Sequence, residues 1–387
     1  MKSIFTTFLI SISFTFSAQI VNIPDANFKN LLLNHYIKID TNNDGQIQVS
    51  EAENFTGLLR CHSRGIQDLT GIEAFINITE LYCNDNPLKT LDISKNTRLK
   101  TLWCESNQLT SLDISKNILL ENLICNKNQL TDLDIEQNKL LLYLNYDFNK
   151  IRNLDHSQYI QLKSIRCAGN QLTNLDLSKN INLRTLDCSD NQLTDLDISN
   201  NLMLENLYLD KNQISSIDIS KHLLLKQLSC QFNLLENIDV SKNSELIVLL
   251  CNNNKLTSLN LKNSQNDKIV LFYSYNNLNL FCIQTDNEQP PAQSWFKDSW
   301  STYSTNCSLG VNDIKKSSIQ IYPNPVKEKF MINTNDKVES VEIYSQTGQL
   351  LKTAKAKEVN ISNLTNGNYI VKIKTDKDNI TQKIIKE

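Results

Sequence analysis

Asp40, Asn42, Asp44 and Gln46 stand at alternate positions of one short stretch, and Glu51 closes a window of twelve residues that begins at Asp40. Hard oxygens at that spacing suit calcium, which takes six to eight oxygen ligands around one point. The spacing predicts that the side chains of Asp40, Asn42 and Asp44, the carbonyl of Gln46 and both oxygens of Glu51 hold Ca2+, with Gly45 permitting the sharp turn. The loop has no second copy to pair with and abuts the first of many repeats, so the expected role of the ion is structural.

The other residues with chemical potential are ten cysteines, four histidines and scattered carboxylates. Eight cysteines share one repeating slot: Cys61, Cys83, Cys104, Cys125, Cys167, Cys188, Cys230 and Cys251. Tyr146, Leu209 and Tyr273 are read into the same slot, so its requirement is a buried, largely apolar side chain, which a thiol meets. Zinc needs four ligands converging tetrahedrally, and a straight column does not supply them. Cys282 and Cys307 lie outside the column, flank a Trp-rich segment and are expected to form a disulfide in an exported chain. His35, His62, His156 and His222 are isolated from one another, and there is no Gly-rich phosphate loop or nucleophile elbow. No catalytic residue is predicted, and the chain is not expected to be an enzyme.

The elements that must position these groups are copies of one unit. An asparagine recurs every 21 residues from Asn86 to Asn254, typified by Leu99-Lys100-Thr101-Leu102-Trp103-Cys104-Glu105-Ser106-Asn107-Gln108-Leu109. Each copy holds a strand and a second half whose aliphatic column runs from Leu91 to Leu259, with a further inward column from Ile93 to Leu261 in which His156 intrudes where an aliphatic residue belongs. Asp92, Asp113 and their successors form another column, read as turn caps that accept nearby backbone N–H groups. Stacked about 4.8 Å apart, ten or so coils give a rod roughly 50 Å long. In each strand the residues flanking the buried Leu and Cys point outward with period two. This places Tyr82, Trp103, Tyr143, Arg166 and Tyr208 on one face among Glu105, Asp147, Asp187 and Asp210, with Phe148 and Phe232 one residue past that phase. Rigid rings and Arg among short polar residues are what binding surfaces favour. That face is the predicted ligand-binding site.

The ends of the chain differ from its middle. Met1-Lys2 followed by a short apolar run to Ser17-Ala18-Gln19 reads as a secretory signal over 1–18. No later segment approaches the roughly 18 apolar residues of a membrane span. Residues 19–75 are read as a cap with the calcium loop at 40–51 and an atypical first coil, 76–280 as regular repeats, 281–308 as a closing cap and 309–318 as a linker. From 319 the 21-residue period vanishes and alternating strand patterns take over, as in Val341-Glu342-Ile343-Tyr344. The net charge of −3, with Lys and Arg scattered among Asp and Glu, gives no reason to expect nucleic acid.

The pattern Leu-x-x-Leu-x-(Leu/Cys)-x-x-Asn-x-Leu resembles the leucine-rich repeat, which implies a mostly β, α/β-type solenoid with a curved parallel sheet. The loop at 40–51 is similar to an EF-hand loop. Tyr322-Pro323-Asn324-Pro325, Thr347-Gly348, Asn366-Gly367-Asn368-Tyr369 and the terminal Lys383-Ile384-Ile385-Lys386 closely resemble the type A C-terminal sorting domain of the type IX secretion system. That resemblance implies a small immunoglobulin-like β-sandwich over 319–387 and export to the medium or outer cell surface by that machinery. The function expected is protein or glycan binding, with adhesion as one form of it. The alternative is a structural surface or matrix component without a specific ligand.

Overall fold

The computed structural model describes residues 19–289, 294–307, 319–334, 336–346, 348–377 and 379–387. The expected signal at 1–18 and linker at 309–318 lie outside the described residues. Two compact units divide the chain, one up to Thr305 and one from Asn306.

The first unit is a solenoid. Twelve parallel strands, from Gly57–Arg60 to Trp295–Phe296, form one sheet in chain order. Regular strands are three residues long with the middle one buried, as in Thr101–Trp103, because Leu102 points into the core and its neighbours point out. A second, four-stranded parallel sheet lies in the second halves of the later coils, starting at Asn237–Asp239 and ending at Thr302–Ser304. The aliphatic column of the second half lines the core as expected, although Leu154 and Ile217 are only partly buried.

Two asparagine ladders hold the coils together. In the first, Asn107 Nδ2 donates to the carbonyls of Cys83 and Cys104 (3.1 and 3.0 Å), and its Oδ1 accepts from Leu88 N (3.1 Å). One side chain thus serves buried backbone groups of two coils, and each carbonyl is shared with a neighbouring asparagine of the ladder, Cys83 O with Asn86 and Cys104 O with Asn128. The second ladder, unforeseen in the sequence, is Asn96, Asn117, Asn138, Asn180, Asn201 and Asn243, all fully buried. Asn117 Nδ2 donates to Ile93 O at 3.0 Å and Asn96 O at 2.9 Å. Where the ladder lacks asparagine, Tyr159 and His222 replace it, the tyrosine hydroxyl donating to Ile135 O and His222 Nε2 lying 3.1 Å from Ile198 O.

The cysteine slot is a buried column of eight free thiols, and burial pushes all eight up from the usual thiol range. Tyr273 is corrected: it pairs with Leu250 and faces outward beside it, while Ser274 takes the place in line with Cys251. Two extra residues in this coil shift the period, and the first ladder continues at Asn277, whose Oδ1 accepts from Leu256 N at 3.0 Å. Asp92, Asp113 and the rest of that column cap turns, each accepting the N–H two residues on.

The N-terminal cap opens with helix α1 (Ala26–Leu33), which buries Phe28 and Leu32. Asp25 caps it through Oδ1, while Oδ2 accepts from Gln67 N and Asp68 N of the first coil (2.8 and 3.2 Å). Helix α2 (Val49–Asn54) takes in the last residues of the loop at 40–51. At the far end Trp295 closes over Phe272, ring centroids 4.9 Å apart, and its Nε1 donates to Ile269 O at 2.8 Å. Cys282 and Cys307 are disulfide-bonded, and the other eight cysteines are free, so the bridge joins these two as expected.

The second unit holds two antiparallel sheets of three and four strands. Long strands at Val338–Tyr344, Gly367–Thr375 and Asn379–Lys386 alternate in burial and place Val341, Ile343, Val371, Ile373 and Ile384 in a separate core.

Candidate functional site

The outward face of the long sheet carries three columns set by strand register. The first includes Thr101, Tyr143 and Thr185, and the second runs Tyr82, Trp103, Ile124, Asn145, Arg166, Asp187, Tyr208, Ser229, Leu250, Tyr273. The third, just past the cysteine column, includes Glu105, Asp147 and Asp210. The structure therefore brings Tyr82, Trp103, Arg166, Asp187 and Tyr208 into one line and leaves Tyr143 one column away.

At the N-terminal end of that line the rings of Tyr82 and Trp103 meet edge to face, centroids 5.4 Å apart. Trp103 Nε1 donates to Glu105 Oε2 at 3.0 Å, and Lys127 Nζ reaches Glu105 Oε1 at 2.9 Å. Although burial works to raise it, the bonds from Lys127 and Trp103 hold the Glu105 carboxyl below the usual carboxylate range. The indole is thus fixed from two sides while remaining half-buried at the surface.

The third column is less open than the alternation of the sequence predicts. Asp147 is only 7% exposed, and its Oδ1 accepts Ala168 N at 2.6 Å. Burial, with Asp187 nearby, raises its carboxyl to about 7. Asp210 does the same work three coils further from the cap, accepting Gln231 N and the Ser229 hydroxyl at 2.7 Å each, and burial raises it too. These two carboxylates brace backbone amides and are corrected as freely presented groups. Phe148 and Phe232 are exposed and take φ of +52° and +54°, in the position where each coil turns left-handed. Tyr273, Tyr275 and Phe296 form an aromatic cluster at the C-terminal end of the sheet that the sequence reading missed, with Tyr273–Phe296 centroids 5.3 Å apart. Counting the Leu-x-x-Leu spacing through the two-residue insertion would have found it.

In the loop at 40–51, Gly45 N donates to Asp40 Oδ2 (3.0 Å), Asp44 N to Asn42 Oδ1 (2.9 Å) and Gln46 N to Asp44 Oδ1 (2.8 Å). Gly45 sits at φ +76°, as the turn requires. Asp40 Oδ1 is buried without a hydrogen-bond partner, which suits a cation. Glu51 is spent otherwise: Oε1 accepts from the Thr41 amide and hydroxyl at 2.7 Å, and Oε2 from Gln48 N at 3.0 Å. Among the described residues no three His, Cys, Asp or Glu side chains converge as a metal cluster. Gln48, within the loop but not foreseen as a partner of its carboxylates, donates from Nε2 to Asp44 Oδ2 at 2.7 Å.

Stacked short coils, an inward Leu column and an asparagine ladder define a leucine-rich-repeat solenoid, and residues 59–117 match the family model for leucine-rich repeats in two copies. Residues 320–387 match the secretion system C-terminal sorting domain. The chain is a leucine-rich-repeat protein with a type IX sorting tail, a tail that marks proteins secreted or held at the cell surface. Among solved structures it is similar to the functional domain of InlJ from Listeria monocytogenes, described as including a cysteine ladder, at 25% identity over 88% of this chain and 93% of that one, TM-score 0.41. It is also similar to a leucine-rich-repeat protein of Leptospira interrogans, at 23% identity over 62% of this chain and 64% of that one, TM-score 0.51. An internalin, InlF of Listeria monocytogenes, aligns at 18% identity over 75% of this chain and all of that one (100%), TM-score 0.44. No curated protein matches. Among the described residues no helix is long and apolar enough to cross a membrane.

Proposed function

We propose that this is a binding protein whose curved sheet holds a protein or glycan ligand outside the cell, without catalysis, after the type IX machinery has recognised its tail. The observation that carries the reading is the Trp103 indole, fixed by Tyr82 and Glu105 at the surface of the sheet, because a ring already held in place loses little entropy on binding. Arg166, Asp187 and Tyr208 continue the line with groups suited to hydrogen bonds, and Phe148 and Phe232 flank it. Capture with the full chain from host proteins, glycan arrays and the producing cell's own surface tests the reading. A ligand that is also retained by a Tyr82→Ala/Trp103→Ala variant would place recognition elsewhere.

The same reading includes a structural calcium ion in the cap, held by Asp40, Asn42, Asp44, the Gln46 carbonyl and Glu51. The buried, unpartnered Asp40 Oδ1 supports it. Glu51 would exchange its bonds to Thr41 for the ion.

A further inference from the structure

Where each coil turns back toward the sheet, the solenoid exposes aliphatic side chains that its core does not use. Directly after the second asparagine ladder come Ile118, Ile160, Ile181, Leu202 and Leu223, between 46% and 58% exposed. The next position adds Leu119, Leu140, Met203 and Leu224. With coils about 4.8 Å apart, these line up as a stripe roughly 25 Å long. Lys139 stands in the same column, but its ammonium is drawn aside to Gln158 and over the Tyr159 ring, 5.6 Å from the centroid. Its alkyl stem alone adds to the stripe. The exposed apolar area is on the order of 800 Å², above the few hundred Å² of an ordinary monomer's patch and close to what each partner gives a standard interface.

We infer that this edge is the interface of an antiparallel two-fold dimer with a second copy of the chain. A two-fold interface must be self-complementary, and the sequence along the stripe is so about a point between the coils of Tyr159 and Asn180. There Ile160 opposes Ile181, Gln161 opposes Asn182, the stem of Lys139 with Leu140 opposes Leu202 with Met203, and Ile118 with Leu119 opposes Leu223 with Leu224. At the two ends Arg98 opposes Glu245, an exposed carboxylate that meets Lys268 at 3.0 Å in its own chain. A slip of one coil sets Arg98 against Leu224 and buries its charge without a partner. A lipid surface would also cover aliphatic side chains, but paired polar residues at the centre and opposite charges at the ends match a second copy. The inference stands apart from the ligand reading of the sheet.

The test is sedimentation of the full chain, together with Leu119→Cys/Leu224→Cys. Within one chain these positions are about 24 Å apart, beyond the roughly 7 Å that a disulfide bridges, so oxidation links them only between antiparallel copies. The expected result is a dimer, a covalent dimer on oxidation of the double variant but of neither single one, and dimerisation at least about thirty-fold weaker in Leu202→Asp/Leu223→Asp at unchanged melting temperature. A monomer at every concentration would overturn the inference. So would a dimer indifferent to the aspartates, or a monomer that floats with phosphatidylglycerol vesicles through this edge.

Discussion

Tyr146 Oη and His156 Nε2 share a hydrogen bond of 3.2 Å inside one coil, with their rings stacked 19° from parallel. Tyr146 replaces the thiol and His156 the aliphatic residue of the regular coil, so two departures from the repeat compensate each other in volume and polarity. Both are fully enclosed, Tyr146 at 0% and His156 at 1% exposure.

Burial lowers His156 from 6.5 to about 4, so the folded chain keeps it neutral where the unfolded chain protonates it. Its contribution is complete above pH 6.5 and is lost as the pH falls toward 4, about 2.5 kcal/mol between pH 7.5 and 4.5. Asp147, raised to about 7, works in the opposite direction in that window, but equally in variants that retain it. Restoring the regular coil with Tyr146→Cys/His156→Ile should reduce the acid loss by that amount in urea titrations at the two pH values. An equal loss in both proteins would contradict the assignment.

Gly169 at φ +63° lies under the Phe148 ring, and a Cβ there would stand 2.5 Å from it. Gly169→Ala should destabilise by about 1–2 kcal/mol, from the left-handed backbone and the displaced ring together. Adding Phe148→Ala should recover the ring's share, visible as non-additivity in a double-mutant cycle. Strict additivity would separate the two residues.

Asn117→Ala removes one of the two donors that serve each of two buried carbonyls, leaving Ile93 O only Asn96 N and Asn96 O only Leu99 N. The expected cost is about 2–3 kcal/mol, against a few tenths for the neighbouring exposed Lys116→Ala. Equal midpoints of chemical unfolding for these two variants would show that the second ladder does not bind coil to coil.

Calcium at roughly 0.1–1 mM, the affinity of extracellular loops of this kind, should raise the melting temperature of the full chain, and Asp40→Asn should abolish the shift. Superimposable melting curves with calcium and with chelator would remove the ion from the account.

Much of this architecture was legible because period and slot repeat: the cysteine column, the inward leucines, the first asparagine ladder and the disulfide outside the period all follow from counting. The second ladder escaped because Asn96 and Asn117 follow Ser-Lys, a sequence that reads equally well as an exposed turn, and only the coil-to-coil bonds show them buried. Tyr273 was misplaced because a two-residue insertion breaks the count. Asp147 and Asp210 were taken as open because alternation tells which face a residue occupies and not whether the next coil's amides claim it. The aliphatic stripe beside Asn117 and His222 went unremarked because a Leu or Ile run gives no sign of which member stays outside.

The central claim is that the curved sheet, through Tyr82 and Trp103, is a binding surface. Isothermal titration of a captured ligand into the full chain and into Tyr82→Ala/Trp103→Ala tests it most directly. The account predicts a loss of at least about 2 kcal/mol, some thirty-fold in affinity, with the melting curve unchanged. An affinity equal in the two proteins would contradict it.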